Sequence, residues 1–121
     1  MADNVLAAWP TELRLTDQGR ILHLAMDNGE RWEIAAELLR VESPSAEVKG
    51  HGPGQEQLVW GKRGVFITRV EPVGNYAVRL HFNDGHNTGL YTWSYLAKLG
   101  AEKDGLMTSY EAKLQQAGLS R

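Results

Sequence analysis

The 121-residue sequence contains no cysteine. That absence excludes disulfides, thiolate nucleophiles and cysteine-ligated zinc or iron–sulfur centres within the chain. It is compatible with the cytosol, where thiols stay reduced and disulfides are rare. Positive charge is not in excess either: 13 Lys and Arg stand against 15 Asp and Glu, a net charge of −2, so no basic footprint for nucleic acid is present. No apolar run approaches the roughly 20 residues of a membrane-spanning helix. The opening "MADNVLAAWP" lacks both the charged n-region and the apolar length of a signal peptide. The expected protein is cytoplasmic, with neither a nucleic acid nor a membrane as partner. Phosphate-binding and nucleophile motifs are also missing. There is no Gly-Lys-Ser/Thr of a P-loop, and Ser43, Ser45, Ser94, Ser109 and Ser120 lie in no nucleophile-elbow context.

What remains is an ordinary globular balance, 42% hydrophobic and 23% charged, enough for one domain with a modest core. Residues 1–8 read as a loose lead-in, 9–118 as the domain and 119–121 as a tail. After the lead-in, "ELRLT" alternates, "DQG" turns, and "ILHLAMD" alternates with Leu22, Leu24 and Met26 on one side. "DNG" turns again, and "RWEI" brings Trp32 and Ile34 into phase. Period and punctuation predict three short antiparallel strands, followed by a short helix in "AAELLR". The pattern is then lost between Val41 and Arg63, where "SPSAEVKGHGPGQ" reads as a loop. It is long for so small a domain, and such loops tend to be functional or mobile.

The strand pattern returns in "VFITRVE", "YAVRLHF" and "TGLYTW". "SYLAKLG" is predicted as a short helix stopped by Gly100, and "EKDGLMTSYEAKLQQAG" as an amphipathic helix capped by Gly118. Trp32, Tyr76, Tyr91, Trp93 and Tyr110 are expected in the core. Leu24, Gly29 and Ile34 lie 56 residues before Leu80, Gly85 and Leu90, so the halves read as a duplication with a small insertion. The class is α+β: a repeated β-β-β-α unit building a mainly antiparallel sheet with helices on one face, plus a C-terminal helix.

The chemistry-bearing residues gather in two places. One is the loop, with Ser43, Ser45, Glu47, His51, Gly52 and Gly54. Its glycines can present amides to an anion, although the spacing is no dinucleotide fingerprint. The other is the hairpin tip Asp84-Gly85-His86. With His81, this tip has the composition of a two-histidine, one-carboxylate iron site, but no apolar pocket is implied around it. An Asp84-Gly85 two-residue turn puts His81 and His86 on one polar face and buries Tyr91 and Trp93. An Asn83-Asp84-Gly85 loop instead pairs His86 with Phe82. The first alternative is the preferred reading, because it buries the two aromatics.

"SPSAEVKGHGPGQ", "VEPVGNYAVRLHFNDGHNTGLYTW" and "SYLAKLG" resemble the gamma-butyrobetaine hydroxylase-like N-terminal domain family, with Gly74-Asn75-Tyr76-Ala77 joined to Asp84-Gly85-His86 as the most specific part. In the hydroxylases a catalytic jelly roll using iron and 2-oxoglutarate follows this domain. None is present in these 121 residues, so the resemblance implies no activity of its own. It does imply a zinc-module position for His86, but the module's three cysteines have no counterpart here. A related domain fused to ATPases that handle iron–sulfur clusters implies an accessory role in metal or cluster handling. The expectation is a non-catalytic accessory or binding domain acting on a protein partner through the loop and the tip. No cofactor is named by the residues. Any iron or zinc would be held weakly by His86 with His81 or Asp84. The alternatives are a metal-dependent enzyme or a subunit completing a partner oxidoreductase's site, and a purely structural interaction module.

Overall fold

Alternating apolar residues on consecutive strands give two meanders. In the computed structural model, which describes residues 9–50 and 57–121, β1 (Pro10–Thr16), β2 (Ile21–Met26) and β3 (Arg31–Ala35) form one antiparallel sheet. β4 (Ile67–Val73), β5 (Ala77–Phe82) and β6 (Leu90–Thr92) form a second in the same order. The lead-in 1–8 and the loop residues 51–56, which include His51, Gly52 and Gly54, lie outside the described residues. The central strands turn alternate residues inward: Leu22, Leu24 and Met26 from β2, and Val78, Leu80 and Phe82 from β5, all buried. Leu24 lies opposite Leu13 and Trp32, and Val78 opposite Tyr91.

The α+β class and the duplication are as expected, but the six strands pair as two sheets of three rather than one. Where the turn after β1 meets the start of β4, the contact is packing and not a ladder. Gly19 sits so tightly on Ile67 that a Cβ there would fall 2.2 Å from the carbonyl oxygen.

Among the described residues three α-helices complete the core. α1 (Ala36–Val41) buries Ala36, Leu38, Leu39 and Val41. α2 (Ala46–Lys49) is a single turn within the stretch read as loop. α3 (Trp93–Ala117) is one helix of 25 residues, not two. It starts at Thr92, whose hydroxyl accepts the Tyr95 amide, and stops at Gly118 with φ +71°. Gly100 does not end a helix. It lies within α3 because the indole of Trp32 fills the space a side chain would need, with Cγ 2.6 Å from where a Cβ would be. Tyr91 and Tyr110 are buried and Trp32 and Trp93 half-buried, as expected of core aromatics, whereas Tyr76 is 52% exposed at the β4–β5 turn.

Two glycines of α3 therefore predict opposite effects. Helix propensity favours alanine by about 1 kcal/mol. At Gly105 nothing lies within 4 Å of a new Cβ, and Gly105→Ala should stabilise by about 0.5–1 kcal/mol. At Gly100 the indole must move, and overpacking at about 1–3 kcal/mol outweighs the propensity gain. Urea unfolding of the two variants should give changes of opposite sign.

The β5–β6 hairpin combines both registers that the sequence leaves open. At the tip, the Gly85 amide donates to the Phe82 carbonyl and the Phe82 amide donates to the His86 carbonyl, with Gly85 at φ +91°. This is the three-residue loop Asn83-Asp84-Gly85, matching the first hairpin, where Met26 and Glu30 are joined the same way and Gly29 also has φ +91°. Further along, Val78 pairs with Tyr91, a register shifted by one residue. The extra residue lies between His86 and Leu90. It makes Tyr91, not Leu90, the counterpart of Ile34, and so buries the large aromatic. The preference for a two-residue turn fails at the tip because the glycine at positive φ closes a bulge that a two-residue turn lacks.

Candidate functional site

The tip and the start of the long loop, far apart in sequence, form one seam. The Asp84 side chain accepts the His86 amide at 3.0 Å, as the Asn28 side chain accepts the Glu30 amide at 3.0 Å in the first hairpin. Locally the two tips are alike. Their surroundings differ: residues 27–30 are exposed, whereas His86 is only 7% exposed. The segment after α1 covers it. Ser43 Oγ lies 2.8 Å from His86 Nε2, Ser45 Oγ 3.4 Å from the same nitrogen, and Glu47 Oε1 3.2 Å from Nδ1. Ser45 precedes α2 at the capping position, yet its hydroxyl makes no cap bond. It contacts Ser43 and His86 instead.

Beside the imidazole, Asp84 is clamped by Arg40 Nε at 2.8 Å and Lys62 Nζ at 2.7 Å. Partial burial works against ionisation of the carboxyl. The hydrogen bonds from Lys62, the His86 amide and Arg40 outweigh it and lower the pKa to about 2. For His86 the dominant effect is also burial, which disfavours the charged ring. Arg40 adds repulsion, and the two together lower its pKa despite Glu47 and Asp84.

Glu47, His86 and Ser43 stand in the hydrogen-bonding order of an acid–imidazole–hydroxyl relay. Access runs the wrong way for catalysis. The Glu47 side chain is 62% exposed, whereas Ser43 is fully buried. The backbone at Gly89 presses on the Ser43 hydroxyl so closely that a Cβ there would lie 2.4 Å away. No acyl group can reach this oxygen, and the relay reads as a structural tie.

His81 is not part of the seam. The His86 ring lies toward Phe82, ring centroids 6.1 Å apart, on the core side of β5. The His81 Nε2 lies 2.8 Å from Glu71 Oε1 on the opposite face, near Arg69 and Arg79. The proposed ligand trio His81, Asp84 and His86 is thus not brought together: His81 faces away, Asp84 serves two cations, and both His86 nitrogens have protein partners. Among the described residues no three of His, Asp and Glu come close enough to hold a metal ion. Of the loop residues, Ser43, Ser45 and Glu47 meet the tip directly. Arg40 was missed by the sequence reading, since nothing in the local pattern marks a residue 44 positions from its partner.

A mutation at this seam should register in stability as well as in any binding. His86→Ala leaves the buried Ser43 hydroxyl without its nearest partner and should cost about 1–3 kcal/mol, more than expected for an exposed tip. The sign of its pH dependence follows from the lowered pKa. The unfolded chain takes up the proton more readily, so this contribution is complete above the ordinary histidine value of 6.5 and is lost as pH falls below it. Urea unfolding at about pH 7.5 and about pH 5.5 should show a smaller pH-dependent loss in the alanine variant than in the parent.

The model of the family described as gamma-butyrobetaine hydroxylase-like, N-terminal, matches residues 13–97, which include both hairpins, α1, α2 and the whole seam. The chain belongs to this family. Two solution structures determined by NMR are similar to the gamma-butyrobetaine hydroxylase-like N-terminal domain described here. One is 44% identical, covering 94% of this chain and 90% of its own, with a TM-score of 0.82. The other is 45% identical, covering 100% and 90%, with a TM-score of 0.83. A crystal structure of a protein with unknown function of the DUF971 family, from Acidithiobacillus ferrooxidans ATCC 23270, is 43% identical over 77% of this chain and 93% of its own, with a TM-score of 0.64. No curated protein matches the chain. No helix among the described residues is long and apolar enough to cross a membrane.

Proposed function

We propose that this domain is a non-catalytic accessory module that contacts a protein partner through the seam between residues 40–49 and the Asp84-Gly85-His86 tip. One observation supports it above all: of two hairpins with the same local geometry, the first tip is exposed and tied to the backbone of Trp9, whereas the second is built through His86 and Asp84 into a charged, hydrogen-bonded patch by a segment about 40 residues away. The first hairpin adopts the same turn without such a patch. The buried Ser43 hydroxyl speaks against catalysis at the site. A role in metal, iron–sulfur or cofactor metabolism rests on the family resemblance, and on this reading the module serves a metal-handling partner without holding a stoichiometric metal itself.

The test is in-cell photo-crosslinking from position 47, with position 102 on the exposed far side of α3 as control. Position 47 should trap a discrete protein of metal or cofactor metabolism that position 102 does not. Equal trapping at both positions, or none, would overturn the assignment of the surface. Stoichiometric iron or zinc in untagged, purified chain would overturn the claim that the module holds no metal of its own.

A further inference from the structure

A second polar site lies away from the seam, where α1, the end of α3 and the residues after it meet. Glu37, in the first turn of α1, is only 5% exposed. A carboxylate is rarely buried to this degree unless a partner compensates its charge. That partner is Arg121. Its Nη2 donates to Glu37 Oε1 at 2.7 Å and its Nε to Oε2 at 3.0 Å, two parallel bonds that match the planar fork of a guanidinium to a carboxylate. Nη1 lies 3.3 Å from Glu111 Oε2. The hydrogen bonds it donates to Glu37 hold the guanidinium pKa above its usual range.

The pocket and its occupant differ in how firmly each is built. Glu37 and Glu111 sit on helices α1 and α3, and Tyr110, which flanks Glu37, is buried and anchored by its hydroxyl to the Val59 carbonyl. Arg121 sits beyond the helix, past the left-handed Gly118. Besides its own ion pairs, the stretch is held by the Leu119 amide on the Leu114 carbonyl, the Gly61 amide on the Ser120 carbonyl, and partial burial of Leu119. Glu37 therefore belongs to the buried core and Glu111, its side chain half exposed, to the outer face of α3, while the arginine lies beyond the helix and reaches back to both.

We propose that Glu37 and Glu111 form a guanidinium-binding site, filled in cis by Arg121, which an arginine side chain of a partner protein can occupy in its place. A lysine would not substitute, because a point-charge ammonium cannot make the two parallel bonds to Glu37. The inference is independent of the partner surface proposed at the seam and stands or falls without it.

The test is chemical rescue followed by thermal melting. Arg121→Ala should melt below the parent. Ethylguanidinium at about ten times its Kd should restore about 5 °C of Tm, while ethylammonium at equal ionic strength restores almost none. Glu37→Gln combined with Arg121→Ala should lose the rescue. Equal effects of the two cations, no rescue, or rescue that survives Glu37→Gln would each overturn the proposal. The unaltered chain supplies a readout that does not depend on the variants folding. The Nε–H resonance of Arg121 should be protected from solvent exchange and should lose that protection as ethylguanidinium, but not ethylammonium, is added. Unchanged protection under ethylguanidinium would show that the site does not exchange its occupant.

Discussion

Gly19→Ala should be among the most damaging single-methyl additions in the protein. The new Cβ would lie 2.2 Å from the Ile67 carbonyl oxygen and 3.3 Å from both the carbonyl carbon and the amide nitrogen. These are backbone atoms at the start of β4, so no side chain can swing aside. The turn must withdraw from the second sheet or β4 must shift. Overpacking of this kind costs about 1–3 kcal/mol, and the left-handed backbone at φ +86° adds about 1–2 kcal/mol for a residue with a Cβ. The sum, about 2–5 kcal/mol, is a large share of the stability of a domain this size. Gly29→Ala separates the two terms. Gly29 has φ +91°, nearly the same conformation, but nothing lies within 4 Å of its Cβ position. It should lose only the backbone part, about 1–2 kcal/mol. Urea unfolding of both variants checks this. Equal losses would mean that the approach of Gly19 to Ile67 carries no weight.

Leu80→Ala is the second large expectation. Leu80 is fully buried on β5, opposite Val70 of β4 and between Val78 and Phe82 on the core face. Removing three carbons from such a site costs about 3–5 kcal/mol, transfer and cavity terms together. The duplication supplies an internal comparison. Leu24, its counterpart on β2, is 1% exposed, so Leu24→Ala should cost a similar amount. Exposed positions such as Lys113 should stay within about 0.5 kcal/mol. A strong loss at one leucine and a weak one at the other would mean that the sheets are unequal in stability, despite their shared pattern.

The strands and their phase were legible because a period of two is a local property. Leu22, Leu24 and Met26 face inward by the same rule as Val78, Leu80 and Phe82, and the glycines at 29 and 85 mark the turns. The helix stop at Gly118 was legible for the same reason. Gly100 was misread because glycine has two uses that look identical in sequence: ending a helix, and making room for a neighbour. Only the position of Trp32, 68 residues earlier, distinguishes them. The tip register was misread because the correction that buries Tyr91 is one extra residue after His86, and residues 87–89 carry no pattern to reveal it.

At the candidate site the division is similar. Residue types alone pointed to the loop with Ser43, Ser45 and Glu47 and to the tip with Asp84 and His86, since polar and glycine-rich stretches cannot build a core. Their meeting, the recruitment of Arg40 and Lys62 to Asp84, and the separation of His81 from His86 were decided by the tertiary structure. The sequence by itself determined the α+β class, the duplication, the inward faces of the central strands and the absence of any thiolate site, because these follow from composition and short-range period. Which tip is covered, which serine is sealed from solvent and which arginine neutralises the buried Glu37 depend on packing between segments 40 or more residues apart. Such contacts leave no local trace, because they are set by the way the two meanders and α3 close on one core.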